Sequence, residues 1–300
     1  MSVPVHRPDR TPELISVVIP VLNSATTLPL QLDALASQQY EGAWEVIVSD
    51  NGSTDGSAII ARNWIARLPG LKVVDASARR GTNYARNVGV SAARGDFLAF
   101  CDADDEVAPG WLTTLAQAAR HGDMVGGWVD EESLNDEITK SWRPPWMPRD
   151  RLPVILDFLP FALSANCGIW TAVLQAVGGW NEDYIQGGTE VDLSWRVQLA
   201  AYRLYFAPQA IVRYRFRRSL PALLYQFYRY GRAHPQLYHA FRSYGARRGS
   251  FREACRIWTW LLLYMRKLMR GRAQRGFWLR LVAYHWGHVW GSIRHGVLFF

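Results

Sequence analysis

Short runs of β-branched residues alternate with stretches of helical periodicity over the first hundred residues. ISVVIPVL (15–22) is apolar nearly throughout, as a strand covered on both faces must be. Leu28, Leu32, Leu35 and Ala36 recur at helical spacing within 26–39, with Thr26 or Thr27 placed to cap that helix. WEVIVSD (44–50) predicts a second buried strand, and a helix from Ser53 or Thr54 to about Leu68 is stopped by Pro69-Gly70. LKVVDA (71–76) follows as a third strand and Tyr84 to Arg94 as a helix ended by Gly95. DFLAFCDADD (96–105) is a fourth strand that closes in a burst of acids. This alternation predicts an α/β fold with a Rossmann-like, mostly parallel sheet flanked by helices. Ligands of such sheets lie beyond the carboxyl ends of the strands. The polar clusters at Asn23, Asp50 to Asp55 and Asp102 to Asp105 should therefore meet in one crevice.

Charge changes this picture more than bulk composition does. Apolar residues make up 49% and charged residues 20%, with a mean hydropathy of −0.11, which describes a globular chain. Residues 1–200 carry 15 Lys/Arg against 25 Asp/Glu, whereas residues 201–300 carry 19 Lys/Arg against the single acid Glu253. An acidic body is thus joined to a basic, aromatic tail, and both need an explanation. Cys101, Cys167 and Cys255 stand far apart with no CxxC pair, which argues against a disulfide framework or structural zinc and suits a reducing compartment. MSVPVHRPDRTPE (1–13) is polar, and the apolar run after it (Leu14 to Leu22) is too short to span a bilayer or serve as a secretory signal. The expectation is a cytoplasmic, non-secreted protein.

Asp102-Ala103-Asp104 is the strongest chemical signal. Alternate residues of an extended segment share a face, so Asp102 and Asp104 can point to one site while Ala103 turns into the core. Two carboxylates held together there need a neutralising partner. A hard divalent cation shared with substrate phosphates supplies one without a full protein cage. A solvated acidic turn is the plain alternative.

With the neighbouring segments in place, a resemblance emerges. SVVIPVLN, SDNGSTDGS and YARNVGVSAARGDFLAFCDADDEV resemble, in order and spacing, a family 2 glycosyltransferase of GT-A fold. SANCGIWTAVLQAVGGWNEDY (164–184) is similar to the family's segment ending in GGF-(D/N)-E. GGTEVDLSWRVQLAAYRLYFAP (187–208) is similar to its ED-x-D-L-x-x-R segment. The resemblance covers roughly two thirds of the chain. It implies an inverting, metal-dependent enzyme (Mn²⁺ or Mg²⁺) that moves a sugar from a nucleoside-diphosphate donor, UDP favoured, to a hydroxylated acceptor. It also implies a layout: a polar segment 1–13, a nucleotide-sugar-binding half 14–110, an acceptor-binding half 111–215 and a basic, aromatic helical extension 216–300.

Residue roles follow the matched positions. Pro20, Val21 and Asn23 would border the nucleotide. Asp50 would accept an N–H from the base, which suits uracil, with a turn-capping role as the alternative. Arg86 would face the nucleotide, and a solvent-exposed helix arginine is the alternative. Asp102, Ala103 and Asp104 would lie along the donor, with Asp104 as direct metal ligand and Asp102 between ribose and metal. Inversion needs a base on the acceptor side. Thr189-Glu190 stands where the family has its ED pair, so Glu190 takes the base position, one methylene longer than usual, with Asp192 as support or substitute. Arg196 on the same helix is expected to form a structural ion pair. Asn166 and Trp180 would flank the acceptor, although Trp180 also suits a core. The Pro/Trp-rich stretch 128–160 is the expected place for acceptor specificity or a lid.

Two readings of the tail stand side by side. Residues 210–300 mix Arg with Trp, Tyr and Leu at helical spacing, as helices lying on an anionic membrane surface do. A lipid-linked or cell-envelope acceptor would make that location useful. Alternatively, the tail folds onto the acidic body. Nucleic-acid binding is not expected, because no recognition motif is present and the body is acidic. Two other classes compete with the enzyme reading. A nucleotidyltransferase would carry a Gly-rich loop with Lys on the first strand–helix turn, where PVLNSATTL has neither. A catalytically weak, membrane-associated scaffold of the same fold is left open by Thr189.

Overall fold

The computed structural model describes residues 10–185 and 187–299, so most of the polar segment 1–13 lies outside the described residues. The first half alternates as expected: β1 (Leu14–Val21), α1 (Leu28–Ala36), β2 (Ala43–Asp50), α2 (Ser57–Arg62), β3 (Lys72–Asp75), α3 (Thr82–Ala92) and β4 (Phe97–Cys101). Every position of β1 after the first is buried, and so is all of β4, which is why both sequences are continuously apolar. Helix α3 lies close over β1 because Gly89 has no side chain; a Cβ there would sit 2.5 Å from Val18.

The expected caps are corrected. Thr27 precedes α1 without a capping hydrogen bond, and α2 begins only after Gly56, whose left-handed φ of 88° starts the helix. The hydroxyl residues meant to cap α2 are used elsewhere: Asn23 N–H donates to Ser53 Oγ (3.0 Å) and Thr54 N–H donates to Asn23 Oδ1 (2.8 Å). Those bonds tie together the two loops that follow β1 and β2.

The chain continues as β5 (Glu106–Val107), α4 (Trp111–Ala118), β6 (Met124–Asp130), α5 (Glu137–Trp142), β7 (Asn166–Trp170), α6 (Thr171–Ala176), α7 (Thr189–Leu199) and β8 (Leu204–Arg213). One sheet runs β3-β2-β1-β4-β7-β6-β8-β5. From β3 to β4 it is parallel, with Val21 level with Asp50. Beyond β4 it is mixed, since β7 runs antiparallel to both β4 and β6. The mostly parallel expectation holds, since β6 and β8 also pair in parallel and only the pairings of β7 with β4 and β6 and of β5 with β8 are antiparallel. An antiparallel neighbour needs no crossover helix, which frees the segment between β6 and β7 to leave the sheet and wall a cavity.

The basic extension forms α8 (Leu220–Phe241), α9 (Phe251–Leu263) and α10 (Arg272–His295). Glycines bring α8 and α10 together: a Cβ on Gly231 would fall 1.9 Å from the Tyr284 carbonyl oxygen, and one on Gly287 would fall 2.3 Å from that of Tyr228. Trp142 of α5 lies against Gly276 and donates to the Arg272 carbonyl (2.9 Å). Helices α8 and α10 thus pack on the body. Helix α9 keeps Leu262 and Leu263 exposed, and Met269 in the turn after it is exposed as well.

Candidate active site

Because β1, β2 and β4 run parallel, the loops at their carboxyl ends open into one crevice of about 550 Å³. Pro20, Val21, Asn23, Asn51, Asp102, Ala103 and Asp104 line it, as the sequence pattern requires. Gln31 of α1, fully buried, holds the acidic turn in place. Its Nε2 donates to the Asp102 carbonyl (3.0 Å) and its Oε1 accepts from Val107 N–H (2.9 Å). Ala103 is buried, leaving Asp102 and Asp104 with side chains 29% and 26% exposed on the open side.

The chain leaving β8 is laid over this turn. Arg215 N–H donates to Asp105 Oδ1 (2.7 Å), and Arg217 Nη1 pairs with Asp104 Oδ2 (2.5 Å). Beneath it, buried Arg86 donates to Asp102 Oδ1 (3.0 Å) and Ser164 Oγ (3.0 Å) and lies over the Trp180 ring, 4.7 Å from its centroid. Burial pushes the Asp102 carboxyl up, Arg86 pulls it back, and the charges of Asp104 and Glu190 push it up again. Asp105 is raised well above the usual range, first by burial and then by Asp104 and Asp102.

Carboxylate oxygens of Asp102, Asp104 and Asp105 lie within 4.8 Å of one another, and buried Asp105 Oδ2 has no partner. Three crowded acids with an orphaned oxygen fit a hard divalent cation. Asp102 and Asp104 are the exposed pair that could hold one, with Asp105 behind them.

Asp102 also borders a second, larger cavity of about 780 Å³, into which Glu190 opens. Gly188, in a left-handed conformation (φ 74°), starts α7 and puts both Glu190 and Asp192 in its first turn. Their side chains then part. Glu190 faces the cavity and accepts a hydrogen bond from Thr189 Oγ1 (2.7 Å). Asp192 is buried away from it, paired with Arg196 (2.7 Å), which also donates to the carbonyls of Val177 and Gly179. The structural ion pair expected of Arg196 is present, and Asp192 is its partner rather than a second base.

Several expected site residues sit elsewhere. Asn166 is fully buried in β7, where Oδ1 accepts from Trp111 Nε1 (2.8 Å) and Nδ2 donates to the carbonyls of Trp128 and Ala210 (both 2.8 Å). Both amide N–H groups go to strand carbonyls and the oxygen to Trp111 of α4, so the side chain ties the sheet to that helix and does not flank an acceptor. Trp180 is buried edge-on against Phe100, which is the core reading. Asp50 lies outside the crevice lining and accepts from Ser53 N–H (3.2 Å), the turn-capping role. Arg86 does not face the donor crevice; it supports Asp102 from below.

The Pro/Trp-rich stretch does line the larger cavity, through Pro144, Trp146 and Ile155. Residues that sequence reasoning passed over line it too: Arg143, Ser164, Arg217 and Arg280. No local pattern marks them, because they arrive from segments far apart in the chain.

Comparison with known proteins accords with this geometry. Residues 16–178 match the family model described as Glycosyl transferase family 2. The chain is 32% identical over 202 residues to the glycosyltransferase AglE of Haloferax volcanii, covering 66% of this chain and 65% of that one. It is 31% identical over 209 residues to the Campylobacter jejuni GalNAc(5)-diNAcBac-PP-undecaprenol beta-1,3-glucosyltransferase, covering 68% and 65%. The chain thus spans just under two thirds of the length of these curated relatives. Its fold is similar to the mannosyltransferase PcManGT of Pyrobaculum calidifontis, solved with GDP-Man and Mn²⁺ (TM-score 0.61, 19% identity, 95% of this chain and 90% of that one). It is also similar in fold to Staphylococcus aureus TarS 1-349, solved with UDP-GlcNAc (TM-score 0.54, 17% identity, 95% and 93%).

Proposed function

The chain belongs to glycosyl transferase family 2, and on that premise we propose that it transfers a sugar from a nucleoside-diphosphate donor to an acceptor hydroxyl, inverting the anomeric carbon. The observation that carries this reading is Asp102, which borders both spaces, with the acidic turn on the crevice side and Glu190 in the larger cavity. A donor with its diphosphate at the turn would direct its anomeric carbon toward Glu190.

Glu190 then takes the acceptor's hydroxyl proton as the acceptor oxygen attacks and the bond from carbon to diphosphate breaks on the opposite face. Asp104 and Asp102 would hold a divalent cation, which when bound would neutralise charge on the leaving diphosphate. Arg217, held against Asp104, adds a second positive charge there. Thr189 in place of the family's acid does not remove the base; its hydroxyl orients Glu190. With Asp50 used in its own turn, the expectation of UDP loses its residue-level support and the donor base is left to the assay; the undecaprenol-linked acceptor in the name of the Campylobacter relative supports a lipid-linked acceptor.

Release of nucleoside diphosphate from UDP-, dTDP- and GDP-sugars, with Mn²⁺, Mg²⁺ or chelator, tests the reading. The expected result is release from one donor class, lost with chelator. Folded protein that turns over none of them overturns it in favour of a non-catalytic scaffold.

A peripheral location on a membrane is supported by α9 and the turn after it. Exposed Leu262, Leu263, Met265 and Met269 sit among exposed Arg252, Arg256, Arg266 and Arg270. No described helix is long and apolar enough to cross a membrane. Apolar side chains interleaved with arginines suit the interface of an anionic cytoplasmic leaflet, where each basic residue contributes about 1 kcal/mol. Co-sedimentation with phosphatidylglycerol vesicles but not phosphatidylcholine vesicles is expected. Equal recovery with both counts against it.

A further inference from the structure

The larger cavity has a charge imbalance that sugar transfer does not explain. Arg143, just after α5, and Arg280 of α10 both line it, and both lie over the ring of Phe227, at 5.9 and 4.7 Å from its centroid. One carboxylate serves this pair. Buried Glu131 accepts from Arg143 Nη2 (3.0 Å) and, at its other oxygen, from the N–H groups of Trp146 (2.8 Å) and Met147 (3.1 Å).

Both oxygens of Glu131 are therefore engaged, and neither reaches Arg280. Arg143, with a side chain only 7% exposed, still has Nε and Nη1 buried without a hydrogen bond, with the Tyr214 ring 5.0 Å from its guanidinium. Arg280 has a buried, unpartnered Nε, and no hydrogen bond or ion pair reaches it among the described residues. Burial first, and the neighbouring Arg143 charge second, pull the Arg280 guanidinium down to about 10, which still leaves it charged at neutral pH. The nearby phenol of Tyr214 is held well above its usual range by burial and so provides no counter-charge. A desolvated cation held beside a second one is costly unless an anion completes the site.

The rest of the lining identifies the anion's bearer. Trp146, Ile155, Phe161, Leu237 and Leu281 give the same cavity an apolar lining beside Glu190. Guanidinium forks match phosphoryl oxygens two at a time. We propose that this cavity contains an anion subsite, built on Arg280 and Arg143, that seats the phosphoryl group of an amphiphilic phosphate ester. That ester is the acceptor, with its hydroxyl directed to Glu190 and its apolar part along the aromatic wall. The assignment rests on the reading of this cavity as the acceptor site.

The test is binding rather than turnover. Octyl phosphate, octyl glucoside below its micelle concentration and phenyl phosphate are titrated into the full chain by calorimetry, with and without UDP and Mn²⁺. Wild type is expected to bind octyl phosphate at least tenfold more tightly than octyl glucoside. That preference should be lost in Arg280→Gln, reduced in Arg280→Lys and unaffected by UDP with Mn²⁺. Octyl phosphate should raise the melting temperature of wild type but not of Arg280→Gln. Arg280→Gln removes an unpaired charge, so it should melt no lower than wild type without ligand. Tight binding of octyl phosphate alone indicates a lipid phosphate, whereas equal binding of phenyl phosphate indicates a soluble phosphorylated acceptor. Equal binding of octyl phosphate and octyl glucoside, an undiminished preference in Arg280→Gln, or displacement by UDP with Mn²⁺ overturns the subsite. If donor turnover fails instead, phosphate binding remains measurable, so the two failures are told apart.

Discussion

The assignment of the base predicts that two acids two residues apart behave in opposite ways. Glu190→Gln keeps size and shape and still accepts from Thr189 Oγ1, so the fold should be unchanged. It removes the only carboxylate of α7's first turn that lines the cavity. A positioned general base contributes about 10²–10⁴-fold, or roughly 3–5 kcal/mol of barrier, so kcat should fall by that factor with donor KM little changed. Asp192→Asn touches the pair with Arg196, whose side chain is 23% exposed and keeps its bonds to the Val177 and Gly179 carbonyls. Water can therefore compensate in part, and the cost should be about 1–3 kcal/mol of stability, with kcat within a few fold of wild type. Donor turnover kinetics on both variants, paired with urea denaturation, separate the effects. A folded Asp192→Asn that loses turnover a hundredfold, beside an active Glu190→Gln, would move the base from Glu190 to Asp192.

Three further outcomes follow from the packing. Arg86→Met leaves Asp102 without its buried partner (Arg86 is 2% exposed) and should cost about 3–5 kcal/mol in urea denaturation. Gly231→Ala puts a methyl 1.9 Å from the Tyr284 carbonyl oxygen, so α8 and α10 must separate; a loss of about 1–3 kcal/mol, read as a lower melting temperature, is expected. His234 and His285 are held at about 4 and His288 at about 2, in each case chiefly by burial. The unfolded chain takes up protons below about 6.5 that the folded chain refuses. Stability should therefore be level above pH 7 in this respect and fall as pH drops from 6.5 toward 4, by at most about 1.4 kcal/mol per pH unit per histidine. Urea titrations across that window check it, and His288→Leu should flatten the slope.

The donor half was legible because local signals coincide there with topology. Continuous apolar runs can only be strands buried on both faces, and parallel strands put Asn23 and Asp102 at one edge. The acid pair at Glu190 and Asp192 was legible as a pair but not as a division of labour. Their fates depend on helix phase and on Arg196 reaching the Val177 and Gly179 carbonyls, a tertiary contact. Asn166 misled because a polar residue in an apolar run resembles a site residue, yet a mixed sheet needs such a side chain to satisfy backbone groups across its irregular register. Arg143, Arg217 and Arg280 could not be found in advance, since in sequence they are three arginines among many. Only the glycine-tight packing of α8 on α10 turns some arginines of the tail inward and leaves those of α9 in solvent.

The central claim is that the acidic turn receives a nucleotide together with a divalent cation. Calorimetric binding of UDP, dTDP and GDP, with and without Mn²⁺, to wild type and to Asp104→Ala tests it most directly. The expected result is Mn²⁺-dependent binding of one nucleotide to wild type and its loss in the folded variant. Nucleotide binding that is indifferent to both Mn²⁺ and Asp104, or no binding at all to folded wild type, would contradict it.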